Sequence, residues 1–485
     1  MEYETVIGLE VHAQLLTKSK MFCRCSTDYT NAPPNTHVCP VCLGMPGVLP
    51  TINQQAVEFT VMTALALHCT ISDYTKFDRK NYPYPDLMKG YQISQYDAPF
   101  GVSGWLLIDA DGKEKKAGIT RVHLEEDVAK LLHRTIPGEG SYSLVDVNRS
   151  GVPLMEIVGE PDLCSPEEAR NYLIKLRSIL RYLGVSTGNM EEGSFRCDAN
   201  ISIRPEGSPE TLAKVEVKNM NSFKAVYRAL SYEEERQRKV AAAGKKLFQE
   251  TRGWVEDKGV TVSQRSKEYA HDYRYFPEPD LAPLVLDQTW VEEVRAKLPE
   301  LPEERRDRFV AEYGLPLYDV KLLTASRDMA DYFEDCLKAG EEVSSKEISH
   351  WLLGEVSRII NEGVIDITEF AKKVSPQRLV RLANLSLEEK ISTATAKSVL
   401  AQMYQKGEGA DDIIKAQGLS QISDAGAIEA EIARVIKENA SAVADYKAGK
   451  KQSLKFLMGQ VMRATKGRAN PAVVNQLMEK KLEEG

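Results

Sequence analysis

Phe195-Arg196-Cys197-Asp198-Ala199-Asn200-Ile201-Ser202-Ile203-Arg204 alternates apolar and polar residues along its length. Successive side chains leave a β-strand on opposite sides, so this period of two marks a strand with one buried face. Its wet face carries Arg196, Asp198, Asn200, Ser202 and Arg204. Four further stretches share the habit. In Ile7-Gly8-Leu9-Glu10-Val11-His12, Glu10 and His12 face one way and Ile7, Leu9 and Val11 the other. In Arg121-Val122-His123-Leu124-Glu125 the wet face is Arg121, His123 and Glu125. In Val145-Asp146-Val147-Asn148 it is Asp146 and Asn148, and in Lys214-Val215-Glu216-Val217-Lys218 it is Lys214, Glu216 and Lys218. If these strands share a sheet, their wet faces make one floor of carboxylates, imidazoles and guanidiniums, suited to Mg²⁺ and phosphate. For any one strand the bland alternative is a solvated outer face with ordinary salt bridges. Five strands with the same habit favour the functional reading.

Helices interrupt the strands. One is expected from about Asn53 to His68, a second from about Ser165 to Leu183 and a third from about Phe223 to Ala243. Ser165-Pro166-Glu167-Glu168 is a helix start, with a cap, proline in the first turn and acids facing the helix dipole. The mixture predicts an α+β fold with a largely antiparallel sheet. Composition changes near residue 280, where Pro277, Pro279, Pro283, Pro299 and Pro302 mark a linker zone. Beyond it the pattern is helical, with a second break at Lys406-Gly407-Glu408-Gly409-Ala410. The expected domains are residues 1–292, 293–406 and 407–485.

A chain of 485 residues with 42% apolar content has ample material for several cores, and its net charge of −8 argues against indiscriminate nucleic-acid binding. No apolar run approaches the ~18 residues of a membrane span. The start, Met1-Glu2-Tyr3-Glu4, is acidic and runs straight into a strand, which predicts no export signal and a bacterial cytoplasmic location. The last forty residues differ from the rest: nine Lys/Arg against three Glu from Tyr446 to Gly485. There Leu454, Leu457, Met458, Val461 and Met462 form one helical stripe, Gly467 is expected to end that helix, and Asn470-Pro471 to start another. A small helical module with cations outward suits RNA phosphates.

Cys23, Cys25, Cys39 and Cys42 form a Cys-x-Cys and Cys-Pro-x-Cys set within twenty residues. In a reducing compartment such clustering points to a structural zinc knuckle, since four thiolates leave no open position for catalysis. On the floor, Glu10 and His12 can share one metal, with Glu125, Asp198 and Glu216 completing a hard-oxygen site for Mg²⁺ or Mn²⁺. Lys76-Phe77-Asp78-Arg79-Lys80-Asn81-Tyr82-Pro83 packs three cations into a loop stiffened by proline, a candidate phosphate clamp. No Gly-x-x-x-x-Gly-Lys-Ser/Thr occurs, so a nucleotide site here is not a P-loop. His271-Asp272-Tyr273-Arg274-Tyr275-Phe276-Pro277-Glu278 either lines a cleft or closes the first domain.

These stretches resemble the GatB family, one of the subunit types of bacterial aspartyl/glutamyl-tRNA amidotransferases. The resemblance covers essentially the whole chain. It rests on residues 6–12, 76–82 and 91–95, on Glu191-Glu192-Gly193-Ser194 through Ser202, on Asp272–Asp280, and on Gly467-Arg468-Ala469-Asn470-Pro471. It implies that residues 1–292 are a cradle-shaped catalytic domain, followed by a helical domain and a tRNA-gripping tail. It implies ATP-dependent phosphorylation of the side-chain carboxylate of misacylated Glu-tRNA(Gln) or Asp-tRNA(Asn). Ammonia from a partner amidase then displaces phosphate, and a small third partner ties the two together. By this resemblance Glu10, His12, Glu125, Asp198 and Glu216 are the catalytic and Mg²⁺ candidates. Lys76, Arg79, Lys80, Arg196 and Lys218 are the ATP-binding candidates, and the zinc is structural. Two other readings use the same features: a metal-dependent RNA phosphoesterase, and a non-catalytic tRNA-binding scaffold.

Overall fold

The computed structural model describes residues 2–136, 140–266, 272–340, 342–419, 425–447, 450–465, 469 and 471–484. The expected helix stop at Gly467 and start at Asn470 lie outside those residues, as does His271. The chain forms two compact units, Met1–Leu301 and Pro302–Gly485.

The strands of the first unit are β1 (Tyr3–Gln14), β2 (Thr70–Ile71), β3 (Tyr74–Thr75), β4 (Asp78–Asn81), β5 (Tyr91–Ser94), β6 (Gly101–Ala110), β7 (Lys113–Glu126) and β8 (Lys130–Ile136). They continue as β9 (Gly140–Asp146), β10 (Pro153–Gly159), β11 (Phe195–Pro205), β12 (Val215–Lys218), β13 (Glu250–Val255), β14 (Val260–Ser266), β15 (Phe276–Pro277) and β16 (Leu284–Val285). Its helices are α1 (Gln54–Ala66), α2 (Pro166–Tyr182), α3 (Phe223–Ala242) and α4 (Gln288–Ala296). Nine strands form the main sheet in the order β14-β13-β12-β11-β1-β10-β7-β6-β2. Among the described residues, only its β12–β13 pair is parallel. The fold is therefore α+β with a largely antiparallel sheet, as the alternation predicts.

Four of the five alternating stretches lie in this sheet, on β1, β7, β11 and β12. The fifth does not. Val145-Asp146 ends β9, which among the described residues pairs with β8 in a separate two-stranded sheet, and Val147–Arg149 is a 3₁₀ turn. The Asp146 carboxylate accepts from Asn148 N at 3.0 Å, so a local side-chain bond wins over strand continuation.

The apolar face of the main sheet is buried: Ile7, Leu9 and Val11 of β1, Val122 and Leu124 of β7, Met155 and Ile157 of β10, and Cys197, Ala199 and Ile201 of β11. The helices pack into the same core. α2 starts on Ser165, whose hydroxyl accepts from Glu168 N at 3.1 Å, and it buries Tyr172, Leu173, Leu176 and Leu180. α1 is buried on nearly every side; its Thr60 and Thr63 hydroxyls bond back to Ala56 O and Phe59 O at 2.8 Å, which lets polar groups enter the core. Where α1 meets β6 the backbones come close, and a Cβ on Gly101 would lie 2.7 Å from Ala64 Cβ. The apolar side thus belongs to the core, and the opposite face is left for chemistry.

The second unit is helical. One apolar cluster gathers Phe309, Phe333, Leu352, Phe370, Leu379 and Leu400, and a second gathers Ile428, Ile432, Leu457, Val461, Val474 and Met478. The break expected at 406–410 is a helix end: Thr393–Lys406 stops on Gly407 at φ +72°, and a new helix runs Ala410–Gln417. On the helix Gln452–Ala464, Leu457 and Val461 are buried while Lys455 and Arg463 are exposed. Among the described residues, no helix is long and apolar enough to cross a membrane.

Candidate active site

Strand register builds the floor. His12 of β1 lies opposite Arg196 of β11 on one side and Glu156 of β10 on the other. Glu156 in turn lies opposite His123 of β7. One row of side chains, Arg196–His12–Glu156–His123, therefore crosses four adjacent strands. In the next row Asp198 lies opposite Glu10.

The row closes into a cluster. His12 Nε2 lies 3.4 Å from Glu156 Oε2 and 3.7 Å from Glu125 Oε1, and His123 Nε2 lies 3.1 Å from Glu156 Oε2. Ser94 of β5 donates to Glu125 Oε2 at 3.0 Å. His123, Glu125 and Glu156 are buried. Burial opposes charge on His12, but Glu156 and Glu125 more than offset it and raise its pKa to about 9. Burial likewise opposes ionisation of Glu156, yet His123 and His12 hold it well below the usual carboxylate range.

His12, Glu125 and Glu156 each bring one ligand atom within 4.8 Å of the others. One imidazole and two carboxylates fit a hard or borderline divalent ion, and three protein donors leave positions for phosphate oxygens or water.

The remaining floor candidates lie outside that three-residue group. Glu10 accepts from Asn200 Nδ2 at 2.9 Å. Lys218 bonds the Asp198 carboxylate and lies 3.2 Å from Glu216, whose other oxygen accepts from Thr251 at 2.8 Å. Burial works against the Lys218 charge, and Asp198 and Glu216 outweigh it. Asp198 and Glu216 thus share a lysine. Arg196 turns to Asp127 at 2.9 Å, which Gln14 also contacts at 2.7 Å and Arg149 at 3.7 Å.

Two of the three cations, Arg79 and Lys80, lie on strand β4 and so point apart, while Lys76 precedes it. Arg79 makes a two-pronged bond to Glu278, 2.7 Å on both prongs, and stacks 4.3 Å from the Tyr91 ring centre. Lys76 is held by Asp78 at 2.7 Å and Asp97 at 2.6 Å. Of the three, Lys80 is the one on which the cluster's charge acts: burial opposes its own charge, but Glu125, Tyr275 and Glu156 hold its pKa above the ordinary value. Its ammonium lies 5.0 Å from the Tyr273 ring centre and 5.9 Å from that of Tyr82. The aromatic stretch after residue 271 is therefore placed beside the floor, with Phe276 opposite Arg79 across β15 and β4.

Glu156 is absent from the candidates read in the sequence, because Pro153-Leu154-Met155-Glu156-Ile157-Val158 has no alternation. A central strand covered on both faces reads as an apolar run. One carboxylate inside such a run is the available signal, since it is expensive to bury without partners.

Away from the floor, the sulfurs of Cys23, Cys25, Cys39 and Cys42 lie within 4.8 Å of one another. Cys39 N donates to Cys42 Sγ at 3.1 Å. The thiol of Cys23 and this backbone group favour the Cys42 thiolate and bring its pKa down to about 4. Four convergent sulfurs fit tetrahedral zinc.

A carboxylate–imidazole cation group beside a lysine, on the polar face of an antiparallel sheet, suits metal-assisted phosphoryl transfer. Comparison with known proteins narrows this class. The family described as GatB/GatE catalytic domain matches residues 5–292, and the GatB domain family matches residues 331–482. A relative from Dehalococcoides mccartyi is 62% identical, with 100% of each chain covered. One from Thermomicrobium roseum is 57% identical, covering 100% of this chain and 99% of the relative. One from Carboxydothermus hydrogenoformans is 52% identical, covering 99% of each. All three are B subunits of the aspartyl/glutamyl-tRNA(Asn/Gln) amidotransferase. The chain belongs to the GatB family of amidotransferase subunits.

Proposed function

We propose that this chain is the transamidating subunit of a cytoplasmic aspartyl/glutamyl-tRNA(Asn/Gln) amidotransferase. It converts Glu-tRNA(Gln), Asp-tRNA(Asn) or both into the amide. Family membership supports the overall reaction. The observation that carries its chemistry is the group His12, Glu125 and Glu156, with Lys80 within its electrostatic reach. A carboxylate is a poor acyl donor until it bears a good leaving group. The γ-phosphoryl of ATP supplies one, and ammonia then displaces phosphate. The ammonia comes from glutamine hydrolysed by the amidase partner, which the small third partner joins to this chain.

His12, Glu125 and Glu156 would hold Mg²⁺, which when bound neutralises charge on the transferring phosphoryl group. Lys80 adds a fixed positive charge on the same side. Ser94 keeps Glu125 oriented. Glu10 with Asn200, and Lys218 with Asp198 and Glu216, lie along the same floor and bind the acceptor end and nucleotide. Arg79 and Lys76, tied to carboxylates, serve ATP by fixing β4. Cys23, Cys25, Cys39 and Cys42 hold a structural zinc. Residues 1–292 form the catalytic cradle, 293–406 a helical domain and 407–485 the tail that grips tRNA.

The test is a single turnover of the full chain with its two partner proteins, γ-labelled ATP, glutamine and Glu-tRNA(Gln). Amide and ADP are expected in equal amounts. RNA cleavage without ATP, or binding with no turnover, would overturn the proposal.

A further inference from the structure

Two imidazoles meet one carboxylate oxygen in the floor, and their surroundings sort them into different roles. His12 Nε2 and His123 Nε2 lie 3.4 and 3.1 Å from Glu156 Oε2. We propose that His123 is a positioning residue: it does not bind the cation, but holds Glu156 in place as a hydrogen-bond donor from Nε2, with Arg121 occupying its other ring nitrogen. This rests on reading His12, Glu125 and Glu156 as the ligand group.

His12 reaches both carboxylates, and 21% of its side chain is exposed, so it opens onto the floor. His123 is enclosed, with 3% of its side chain exposed. On its far nitrogen it meets Arg121, whose Nε donates to Nδ1 at 3.4 Å. A guanidinium carries donors only and keeps its proton, so Nδ1 must be the acceptor. The ring proton then sits on Nε2 and is aimed at Glu156 Oε2. Binding a cation at Nε2 would break the bond to Glu156.

The arrangement is built in by register. His123, Glu156 and His12 are cross-strand neighbours on β7, β10 and β1, so the donor, the carboxylate and the open imidazole come in fixed order. Glu156 is 8% exposed, and little solvent is at hand to orient its carboxylate if His123 is removed. Partners that orient a ligand in this way are worth roughly 10- to 100-fold in metal affinity.

The experiment uses the full chain in its complex, zinc retained, titrated with Mn²⁺ and followed by electron paramagnetic resonance. His123→Ala should weaken Mn²⁺ binding about 10- to 100-fold. His123→Gln, whose amide N–H can reach the same oxygen, should recover most of the loss. Electron spin-echo modulation should show nitrogen coupling from one imidazole, unchanged in His123→Gln and absent in His12→Gln. Wild-type affinity in His123→Ala would overturn the positioning role. Reduced nitrogen modulation in His123→Gln would also overturn it, by making His123 a ligand. Failure of the ligand-group assignment looks different: no nitrogen modulation in the wild type, with Glu156→Gln leaving Mn²⁺ affinity unchanged.

Discussion

Raising the pH should strengthen cation binding at the floor, by an amount set by His12. Free of metal, His12 carries a proton with a pKa of about 9, because Glu156 and Glu125 outweigh the cost of burial. An imidazole binds a metal through its neutral form, so the ion must displace that proton. Each pH unit below about 9 therefore costs close to tenfold in apparent affinity. At pH 7 the site works about 100-fold below its limit, roughly 2.7 kcal/mol. Titrating Mn²⁺ calorimetrically at pH 7 and pH 9, in buffers of different ionisation heat, reads both the affinity and the proton released. Near pH 7, release should approach one proton per ion. Glu156→Gln removes the strongest support of the His12 charge, so the pH dependence should move down towards the ordinary imidazole value of about 6.5. The same shift has a stability consequence of fixed sign. A raised pKa stabilises the metal-free fold fully below pH ~6.5, and that contribution is lost as pH rises through about 9. Affinity that is flat from pH 7 to 9, with no proton released, would refute the reasoning.

Three other outcomes follow from particular contacts. Cys42→Ser should remove zinc, measured as metal content, and lower the thermal midpoint of the complex; full zinc retention would count against the four-sulfur site. Arg79→Gln leaves the 1%-exposed side chain of Glu278 without its two-pronged partner, and should cost about 3–5 kcal/mol in denaturant midpoints, whereas a change confined to the KM for ATP would make Arg79 a phosphate clamp instead. Replacing Lys455 and Arg463 by Gln should weaken tRNA binding across sequences and reduce the salt dependence by about two counterions; an unchanged slope would remove that helix face from the interface.

Much of this architecture follows from local pattern. Period-two alternation locates β1, β7, β11 and β12, and Asn53, Ser165 and Ser222 cap helices within a residue or two of the expected starts. These features depend on near neighbours: which way a side chain leaves a strand, and which hydroxyl or amide satisfies the first free N–H groups. Local pattern fails where a local competitor is stronger, as at Asp146, and where a central strand hides its one carboxylate in an apolar run, as at Glu156. The cationic segment fails differently. Lys76, Arg79 and Lys80 look alike in sequence, but Arg79 meets Glu278, almost two hundred positions away, and Lys80 is held charged by Glu125 and Glu156.

Sequence alone therefore yields the α+β class, the polar sheet face, the cysteine set and the helical, basic tail. It also establishes that His12 and Glu125 stand on wet faces. It leaves open which of those faces meet. Placing β10 between β1 and β7 puts Glu156 between two histidines and groups His12 with Glu125, while Asp198 and Glu216 share Lys218. The reason is that strand direction is local, whereas strand order and register are contacts between separate segments, Glu156 meeting His123 across 33 positions and His12 across 144. A charged side chain takes its role from the partner it finds across that gap.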